Sequence, residues 1–365
     1  MPAAYAPDDA RLTVAALEAL HSPAGAELRE ELHAFPDLAN IAVSQVAALR
    51  KRFSPEILHA ALTLGGLQKR GRGKFPALRY VWGTPEALEQ SSSMAVAAHK
   101  ASRFARAGAT ETVDLCCGIG GDAMALAHAG RVWGVDLSAV RATCLGYNFE
   151  QLPVPAPVMI AGDVLRVLPQ LPRGACFHID PSRRQATTSG SARRSAKYAD
   201  LIPGPEVIEK VSAHFAGGAI KLSSAVDFGD LPQGHLELIS ENGSVVQAVL
   251  WVGRFLEGLS PAARTGSIVG ERSWTFTGQP GGVDLAAARP LESLSGCLHE
   301  LDGSLTRADL AAAYCSAKDL VPLTVDGGYA LGREQVRDVP LAALEILAAV
   351  RFSEARVAEA LQRVA

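Results

Sequence analysis

Residues 113–122 read Val113-Asp114-Leu115-Cys116-Cys117-Gly118-Ile119-Gly120-Gly121-Asp122, an apolar run that ends in a glycine-rich turn. The pattern predicts a strand over Thr112–Cys116 and a helix over Asp122–Ala129 that Gly130 closes. A glycine-rich turn lets a ligand approach the backbone closely, at the edge where open α/β sheets bind their ligands. The alternative is an ordinary tight turn without a ligand.

Strands alternate with helices downstream of this turn, which is typical of a parallel, doubly wound α/β sheet. The predicted strands are Arg131–Asp136, Val158–Ala161, Cys176–Asp180 and Ala219–Leu222. A helix is predicted from Ser138 to about Phe149. The Asn242-Gly243 pair predicts a hairpin that joins His235–Ile239 to Val245–Val252.

Three domains are predicted from the change of pattern along the chain. Residues 1–105 form a helical domain, residues 106–290 contain the α/β sheet, and residues 291–365 form a small α+β domain. In the last domain we expect helices over Arg307–Lys318, Leu341–Val350 and Glu354–Val364, and strands over Leu320–Thr324 and Tyr329–Leu331.

Composition excludes several classes of protein. With 48% hydrophobic residues and a net charge of −3 over 365 residues, the chain is neither disordered nor collagen-like. No apolar run is long enough to span a membrane, and the N-terminus lacks the basic segment of a signal peptide. Six cysteines without CxxC spacing, and histidines without ligand spacing, indicate a cytoplasmic protein with no metal site.

Three aspartates are predicted at consecutive strand ends around the glycine-rich turn: Asp114, Asp136 and Asp163. They suit a cationic nucleoside without phosphates, because Asp114 can meet an ammonium group, Asp136 the ribose hydroxyls and Asp163 the adenine amine. A carboxylate at position 114 would repel a pyrophosphate. The pattern therefore favours S-adenosylmethionine (SAM) over NAD, although Gly118-x-Gly120-x-x-Ala123 also fits the loose dinucleotide motif.

These residues resemble the class I SAM-dependent methyltransferases. Residues 88–101, the motif Asp180-Pro181-Ser182-Arg183-Arg184 and the segment Gly296–Asp302 resemble a bacterial subgroup with a C-terminal THUMP-like domain. The resemblance implies a Rossmann-like, seven-stranded methyltransferase sheet and SAM as cofactor. It assigns the cofactor to Asp114, Cys116, Gly118, Gly120, Gly121, Asp122, Asp136, Leu137, Asp163 and Val164, and catalysis to Asp180, Pro181, Ser182 and Arg183.

The group that receives the methyl group is predicted to bind at the end of the fourth strand. There Asp180 can accept a hydrogen bond from an N–H group or remove its proton, or it only caps the turn before Pro181. Amino-methylating relatives carry a stacking aromatic residue where this chain has Arg183. A covalent route through cysteine is disfavoured, because the fifth strand ends in Ser223-Ser224.

Two basic stretches stand out in this acidic chain. Eight basic residues and one acid lie between Arg50 and Arg79, and six basic residues and one acid lie between Arg173 and Tyr198. We expect loops at residues 69–75 and 185–195. RNA phosphates could contact Lys69, Arg70, Arg72, Lys74, Arg184, Arg193, Arg194 and Lys197. The alternative is a solvated surface.

The THUMP-like resemblance implies an RNA methyltransferase with tRNA or rRNA as its substrate. Two other hypotheses remain open. One is a methyltransferase for a protein or a small molecule, and the other is a SAM- or RNA-binding module without turnover.

Overall fold

The computed structural model describes residues 12–33, 41–182, 197–260, 262–283, 296–324 and 326–364, and the backbone alone at 184–185 and 193–194. The chain divides into two compact units, Met1–Ser182 with Ile202–Gly218, and Arg183–Leu201 with Ala219–Ala365. The three predicted domain boundaries stay a prediction.

The first unit contains most of the helices. They are α1 Val14–His21, α2 Pro23–His33, α3 Val43–Leu49, α4 Pro55–Lys74, α5 Pro85–Gln90, α6 Met94–Arg106, α7 Gly121–Leu126, α8 Ala139–Phe149, α9 Val164–Val167 and α10 Pro205–His214. Its strands are β1 Glu111–Leu115, β2 Arg131–Asp136, β3 Val158–Ala161 and β4 Cys176–Ile179.

The second unit is built mainly from strands. They are β5 Arg184–Gln185, β6 Arg193–Arg194, β7 Gly217–Leu222 (which begins at the end of the first unit), β8 His235–Glu241, β9 Ser244–Gly253, β10 Arg264–Val269, β11 Trp274–Gly278, β12 Cys297–Leu301, β13 Val321–Pro322, β14 Tyr329–Gly332 and β15 Leu341–Glu345. Its helices are α11 Gly303–Arg307, α12 Ala311–Ala317 and α13 Glu354–Val364.

The predicted α/β class is confirmed by the large sheet. In the first unit the strand order is β4-β1-β2-β3, and the three pairings are parallel. Leu115 of β1 pairs with Val135 of β2 and with Ile179 of β4, so these strands end level with one another. Their carboxyl ends therefore meet at one edge of the sheet.

The large sheet has nine strands, whereas seven were predicted. In the second unit the order is β11-β10-β8-β9-β7. The hairpin of β8 and β9 is confirmed: Asn242 and Gly243 at its turn have φ angles of 52° and 75°. The two additional strands are β10, parallel to β8, and β11, antiparallel to β10, in a segment to which the sequence analysis assigned no strand.

The prediction of a loop at residues 69–75 was wrong, because α4 continues to Lys74. Gly71 explains the difference. A Cβ atom at this position would lie 2.7 Å from Cγ2 of Val81, so glycine allows close packing rather than ending the helix. Gly73 lies in the last turn, where a Cβ atom would meet nothing within 4 Å. At the start of the same helix the Ser54 side chain accepts a hydrogen bond from the N–H group of Ile57, and Pro55 follows as the first helical residue.

Two helix predictions near the C-terminus were also wrong. The predicted helix Arg307–Lys318 is divided into α11 and α12 by Asp309, which has a φ angle of 57°. The predicted helix Leu341–Val350 begins instead as β15, which pairs antiparallel with β12. Pairing with a neighbouring strand overrides the helix propensity of an alanine- and leucine-rich segment. The predicted helix Glu354–Val364 is confirmed.

Helices α1, α2 and α4, which precede β1, bury leucine side chains in a core. Leu17 and Leu20 of α1 are fully buried, as are Leu28 of α2 and Leu64 of α4. One face of α1 therefore packs into a core. Helix α3 has no such face, because Val43 is 86% exposed and Leu49 alone among the α3 residues is buried.

Candidate functional site

The loops that follow the four parallel strands of the first unit are joined by backbone hydrogen bonds. The N–H groups of Asp180, Cys117 and Gly162 donate to the carbonyl oxygens of Leu115, Val135 and Asp136 at 3.1, 3.1 and 2.8 Å. Asp180, Asp136 and Asp163 therefore follow neighbouring strands at the edge where α/β sheets bind ligands.

The glycine-rich turn has a left-handed backbone at three positions. The φ angles are 58° at Cys116, 56° at Gly118 and 93° at Gly120. A Cβ atom at Gly120 would also lie 2.9 Å from Cγ of Leu145. At Gly118 a Cβ atom would meet nothing within 4 Å, so this part of the turn is open to a ligand.

Asp136 fixes the turn to the start of α8. Its buried carboxylate accepts hydrogen bonds from the backbone N–H groups of Gly118 at 2.8 Å and Ser138 at 2.9 Å. Leu137, which lies between Asp136 and Ser138 in the chain, is 63% exposed. The arrangement places an exposed apolar side chain beside a preorganised carboxylate.

Asp163 lies at the end of β3 and caps α9. One oxygen of its exposed carboxylate accepts from the N–H groups of Leu165 at 3.0 Å and Arg166 at 3.2 Å, while the neighbouring Val164 is buried. The capping explains why the chain turns here, and it is compatible with a further bond to a ligand because a carboxylate has several acceptor sites.

Four buried charged or titratable side chains lie against β1 and β4, and we name them the buried ion cluster: Lys100, Asp114, Asp122 and His178. The Lys100 ammonium lies 2.6 Å from Asp122 Oδ1, and His178 Nδ1 lies 2.7 Å from Asp114 Oδ1. Lys100 Nζ also lies 3.3 Å from His178 Nε2, which links the two pairs. Ser92 Oγ donates to Asp122 Oδ2 at 2.8 Å.

Sequence reasoning assigned no role to Lys100, His178 or Ser92, although it predicted Asp114 and Asp122. A signal for Lys100 was present: it lies four residues after Val96 and four before Phe104, both fully or almost fully buried in α6. His178 pairs in register with Asp114 across β1 and β4, so their side chains share one face.

The turn lies in a negative electrostatic environment. Burial and the carboxylates of Asp136, Asp180 and Asp114 raise the pKa of the Cys116 thiol well above its ordinary value, and burial with Asp136 and Asp114 does the same for the pKa of Cys117. Both cysteines are thus neutral thiols at pH 7, which argues against a nucleophilic role.

The acceptor motif is fixed by its backbone. Pro181 is buried, Asp180 and Ser182 are half-buried, and Ser182 exchanges two backbone hydrogen bonds with Ile202, at 2.7 and 2.9 Å. The predicted Arg183 lies outside the described residues.

The predicted basic residues differ in their surroundings. Lys69, Arg70 and Arg72 are exposed near the end of α4, and we name them the basic helix end. Lys74 instead donates to the carbonyl oxygens of Leu88 at 2.7 Å and Glu89 at 3.0 Å. Lys197 is exposed, and Arg184, Arg193 and Arg194 are described only by their backbone in the β5–β6 pair.

Within the described residues, no group of three or more His, Cys, Asp or Glu side chains could hold a metal ion. None of the described helices has the length and apolar character needed to cross a bilayer.

Comparison with known proteins gives a class of enzyme from sequence and a matching fold from structure. Two curated proteins of Mycobacterium tuberculosis, from strains CDC 1551 and H37Rv, are described as uncharacterized S-adenosylmethionine-dependent methyltransferases. Each is 29% identical over 285 residues, which cover 76% of this chain and 73% of the relative. No family model matches the chain.

A crystal structure of a presumed methyltransferase from Porphyromonas gingivalis W83 has the same fold. It matches with a TM-score of 0.69 at 19% identity, and covers 98% of this chain and 86% of that one. The curated relatives identify the chain as a SAM-dependent methyltransferase, and the solved structure shows its fold.

Proposed function

We propose that this methyltransferase modifies structured RNA, with tRNA or rRNA as its substrate class, and that it holds SAM at the glycine-rich turn. The observation that carries the cofactor site is the set of carboxylates at neighbouring strand ends around an open left-handed turn. The observation that supports RNA is the exposed basic helix end.

Three features of the turn fit SAM, which carries a sulfonium, an ammonium and a carboxylate. Asp114 Oδ2 is buried and has no hydrogen-bond partner among the described residues, so it can accept from an ammonium. The negative environment that raises the pKa of Cys116 favours a net cation. The exposed Leu137 offers an apolar contact to a base.

Different residues around the turn are proposed to bind different parts of SAM. Asp136 holds Gly118 and Ser138 in place, and its remaining acceptor sites suit ribose hydroxyls. Asp163 is proposed to accept a hydrogen bond from the adenine amine. SAM supplies a methyl group already activated by its sulfonium, so alignment of the acceptor contributes most of the acceleration.

Asp180 is proposed to align the acceptor and to take its proton. The hydrogen bond from its N–H group to Leu115 and the paired bonds between Ser182 and Ile202 fix the backbone on both sides of Pro181. A carboxylate held on a rigid backbone can orient an N–H group without paying for its own ordering. Arg183 is proposed as a further contact of the acceptor.

For RNA, the proposal names Lys69, Arg70, Arg72 and Lys197 as phosphate contacts, together with Arg184, Arg193 and Arg194. Lys74 is withdrawn from this set, because its ammonium holds the carbonyl groups at the end of α5. The THUMP-like resemblance of residues 296–302, which include β12, adds to the RNA proposal.

The test is calorimetric titration of the full chain with SAM, followed by transfer of tritium-labelled methyl groups to total bacterial RNA. SAM binding with label in RNA supports the proposal, and digestion of the RNA then identifies the base. SAM binding with label only in protein or small molecules rejects the RNA substrate. Failure to bind SAM rejects the proposed cofactor site.

A further inference from the structure

A cavity lies in the first unit, against the C-terminal part of α8. It has a volume of about 240 Å³, and its walls include His21, Arg29, His33, Tyr80, Trp82 and Tyr147. Tyr147 belongs to the C-terminal part of α8, whereas Ser138, which bonds Asp136, precedes its first turn. At 1.5 Å per residue, Tyr147 lies about 14 Å along this helix from Ser138.

Aromatic side chains form much of the wall of the cavity. The rings of His21 and Tyr147 are stacked, with centroids 3.8 Å apart and planes 10° apart. Trp82 lies edge-on to His21, with ring centroids 5.6 Å apart, and is tilted relative to Tyr147, with centroids 4.8 Å apart. The Arg29 guanidinium lies over Trp82 at 5.0 Å and over Tyr80 at 5.9 Å. Aromatic rings and guanidinium planes are the surfaces on which unpaired nucleobases stack.

Two polar atoms of these walls are buried without a hydrogen-bond partner among the described residues: Tyr80 Oη and His21 Nδ1. Burial raises the pKa of Tyr80, so its hydroxyl remains a hydrogen-bond donor at neutral pH. Leaving such groups unsatisfied destabilises the fold, and the polar edge of a planar ligand would satisfy them.

The formal charges around the cavity cancel. Its walls include two arginines, Arg29 and Arg79, and two glutamates, Glu30 and Glu150. Arg79 lies 2.8 Å from Glu30, and His21 Nε2 lies 2.9 Å from Glu150. Because the arginines offset the glutamates, the cavity suits a neutral ligand better than a phosphate or an ammonium ion.

The aromatic segment is held in place before any ligand arrives. Three side-chain amides bond both the N–H and the C=O of three consecutive residues: Gln151 holds Tyr80, Gln68 holds Val81 and Asn148 holds Trp82, at 2.8 to 3.0 Å. Asn148 also donates to the carbonyl of Ile119 in the glycine-rich turn. A preformed wall lowers the entropic cost of binding.

We propose that this cavity binds an unpaired nucleobase of the RNA, at a subsite separate from the base that is methylated. The inference rests on the proposed function for the identity of the polymer. A neutral heteroaromatic base fits these walls, because its ring can stack on the aromatic side chains and its polar edge can bond the unsatisfied atoms of Tyr80 and His21.

The test is calorimetric titration of the full chain with uridine, cytidine, adenosine and guanosine, with ribose as the control that lacks a base. Saturating S-adenosylhomocysteine is present, so that adenosine is not bound at the glycine-rich turn. We expect one or more nucleosides to bind and ribose not to bind. Equal binding of ribose, or no binding of any nucleoside, overturns the proposal.

Two variants assign the binding to the cavity. Tyr147→Ala removes a stacking face and is expected to weaken nucleoside binding about tenfold. Tyr80→Phe removes only the hydroxyl and is expected to weaken it about fivefold. Tyr329→Phe, on β14 of the second unit, is the matched control. Nucleoside affinity that is unchanged in both cavity variants overturns the proposal.

The two proposals fail in distinguishable ways, because SAM binding and RNA methylation are measured on the same preparations. If the wild-type chain methylates RNA but binds no nucleoside, the subsite alone is rejected. Nucleoside binding in a chain that labels no RNA rejects the proposed function and leaves the base-binding cavity standing.

Discussion

The buried ion cluster and the basic helix end are two groups of charges in the first unit with opposite surroundings. Lys100 and Asp114 are each 1% exposed, and both lie within 3.5 Å of another member of the cluster or of Ser92. Lys69 and Arg70 are exposed to solvent. A buried charge is tolerated only with a partner of opposite charge or a hydrogen bond, whereas an exposed one can serve an external ligand.

A count of charged residues along the sequence finds only one of these two groups. Counting found the basic helix end, because solvated cations accumulate in one segment. It missed the cluster, whose members come from α6, β1, α7 and β4 and meet only in the fold. The cluster therefore orders the elements that carry the glycine-rich turn, while the basic helix end is available to a partner.

Removal of the buried cation is expected to have the largest effect. Lys100→Met removes the ammonium that lies 2.6 Å from the buried Asp122 carboxylate. We expect the free energy of unfolding to fall by about 3–5 kcal/mol, because the carboxylate stays buried without this charge. The measurement is the urea unfolding transition of the full chain.

The exposed counterpart supplies the control. Lys69→Met removes the same charge from the basic helix end and is expected to change the free energy of unfolding by less than about 0.5 kcal/mol. Equal losses in the two variants would mean that burial does not set the energetic importance of these lysines.

Replacement of the proposed proton acceptor is expected to affect turnover rather than folding. Asp180→Asn keeps the shape of the side chain but cannot take a proton, and we expect methyl transfer to fall by about 10²-fold or more with SAM affinity unchanged. The control is the exposed Asp230→Asn. If Asp180→Asn transferred methyl groups at the wild-type rate, Asp180 would only cap the turn before Pro181.

Local sequence patterns predicted the β2–β3 end of the large sheet well. β2 and β3 begin and end where the apolar runs do, and the carboxylates of Asp136 and Asp163 follow them as expected. These elements are specified by short-range signals, an apolar strand and then a turn with glycine or aspartate, so no distant partner has to be known.

Features that depend on distant partners were not predicted. From the sequence, Gly71 is predicted to break a helix, but in the structure it allows close packing against Val81. Residues Leu341–Glu345 are predicted to be helical, but they pair with β12 as a strand. The pairing of Lys100 with Asp122 and the amides around Tyr80 also join residues far apart in the chain. Tertiary contacts decide such positions against local propensity.

Charge removal at the basic helix end is expected to change RNA affinity moderately. Replacing Lys69, Arg70 and Arg72 together with alanine should weaken RNA binding about tenfold, and should reduce the slope of log affinity against log salt by about one for each phosphate that the variant no longer binds. The measurement is fluorescence anisotropy over a salt series. As a control, Arg333, Arg337 and Arg356 are replaced with alanine, which removes the same charge from exposed positions of the second unit. Identical salt slopes in the two triple variants would contradict a role for this helix end.

The smallest expected effect is a change in pH dependence within the buried ion cluster. Burial, with the nearby Asp122, raises the pKa of Asp114 above its ordinary 3.8, although His178 opposes the shift. A raised pKa in the folded chain means that this group's stabilising contribution is present below pH 3.8 and is lost as the pH rises through the folded pKa. Asp114→Asn cannot titrate, so its stability relative to wild type is expected to improve as the pH rises from about 4 towards 7. Urea unfolding of both chains across this range measures the difference. A difference that stays constant with pH, or moves the other way, would show that the partnership with His178 outweighs burial.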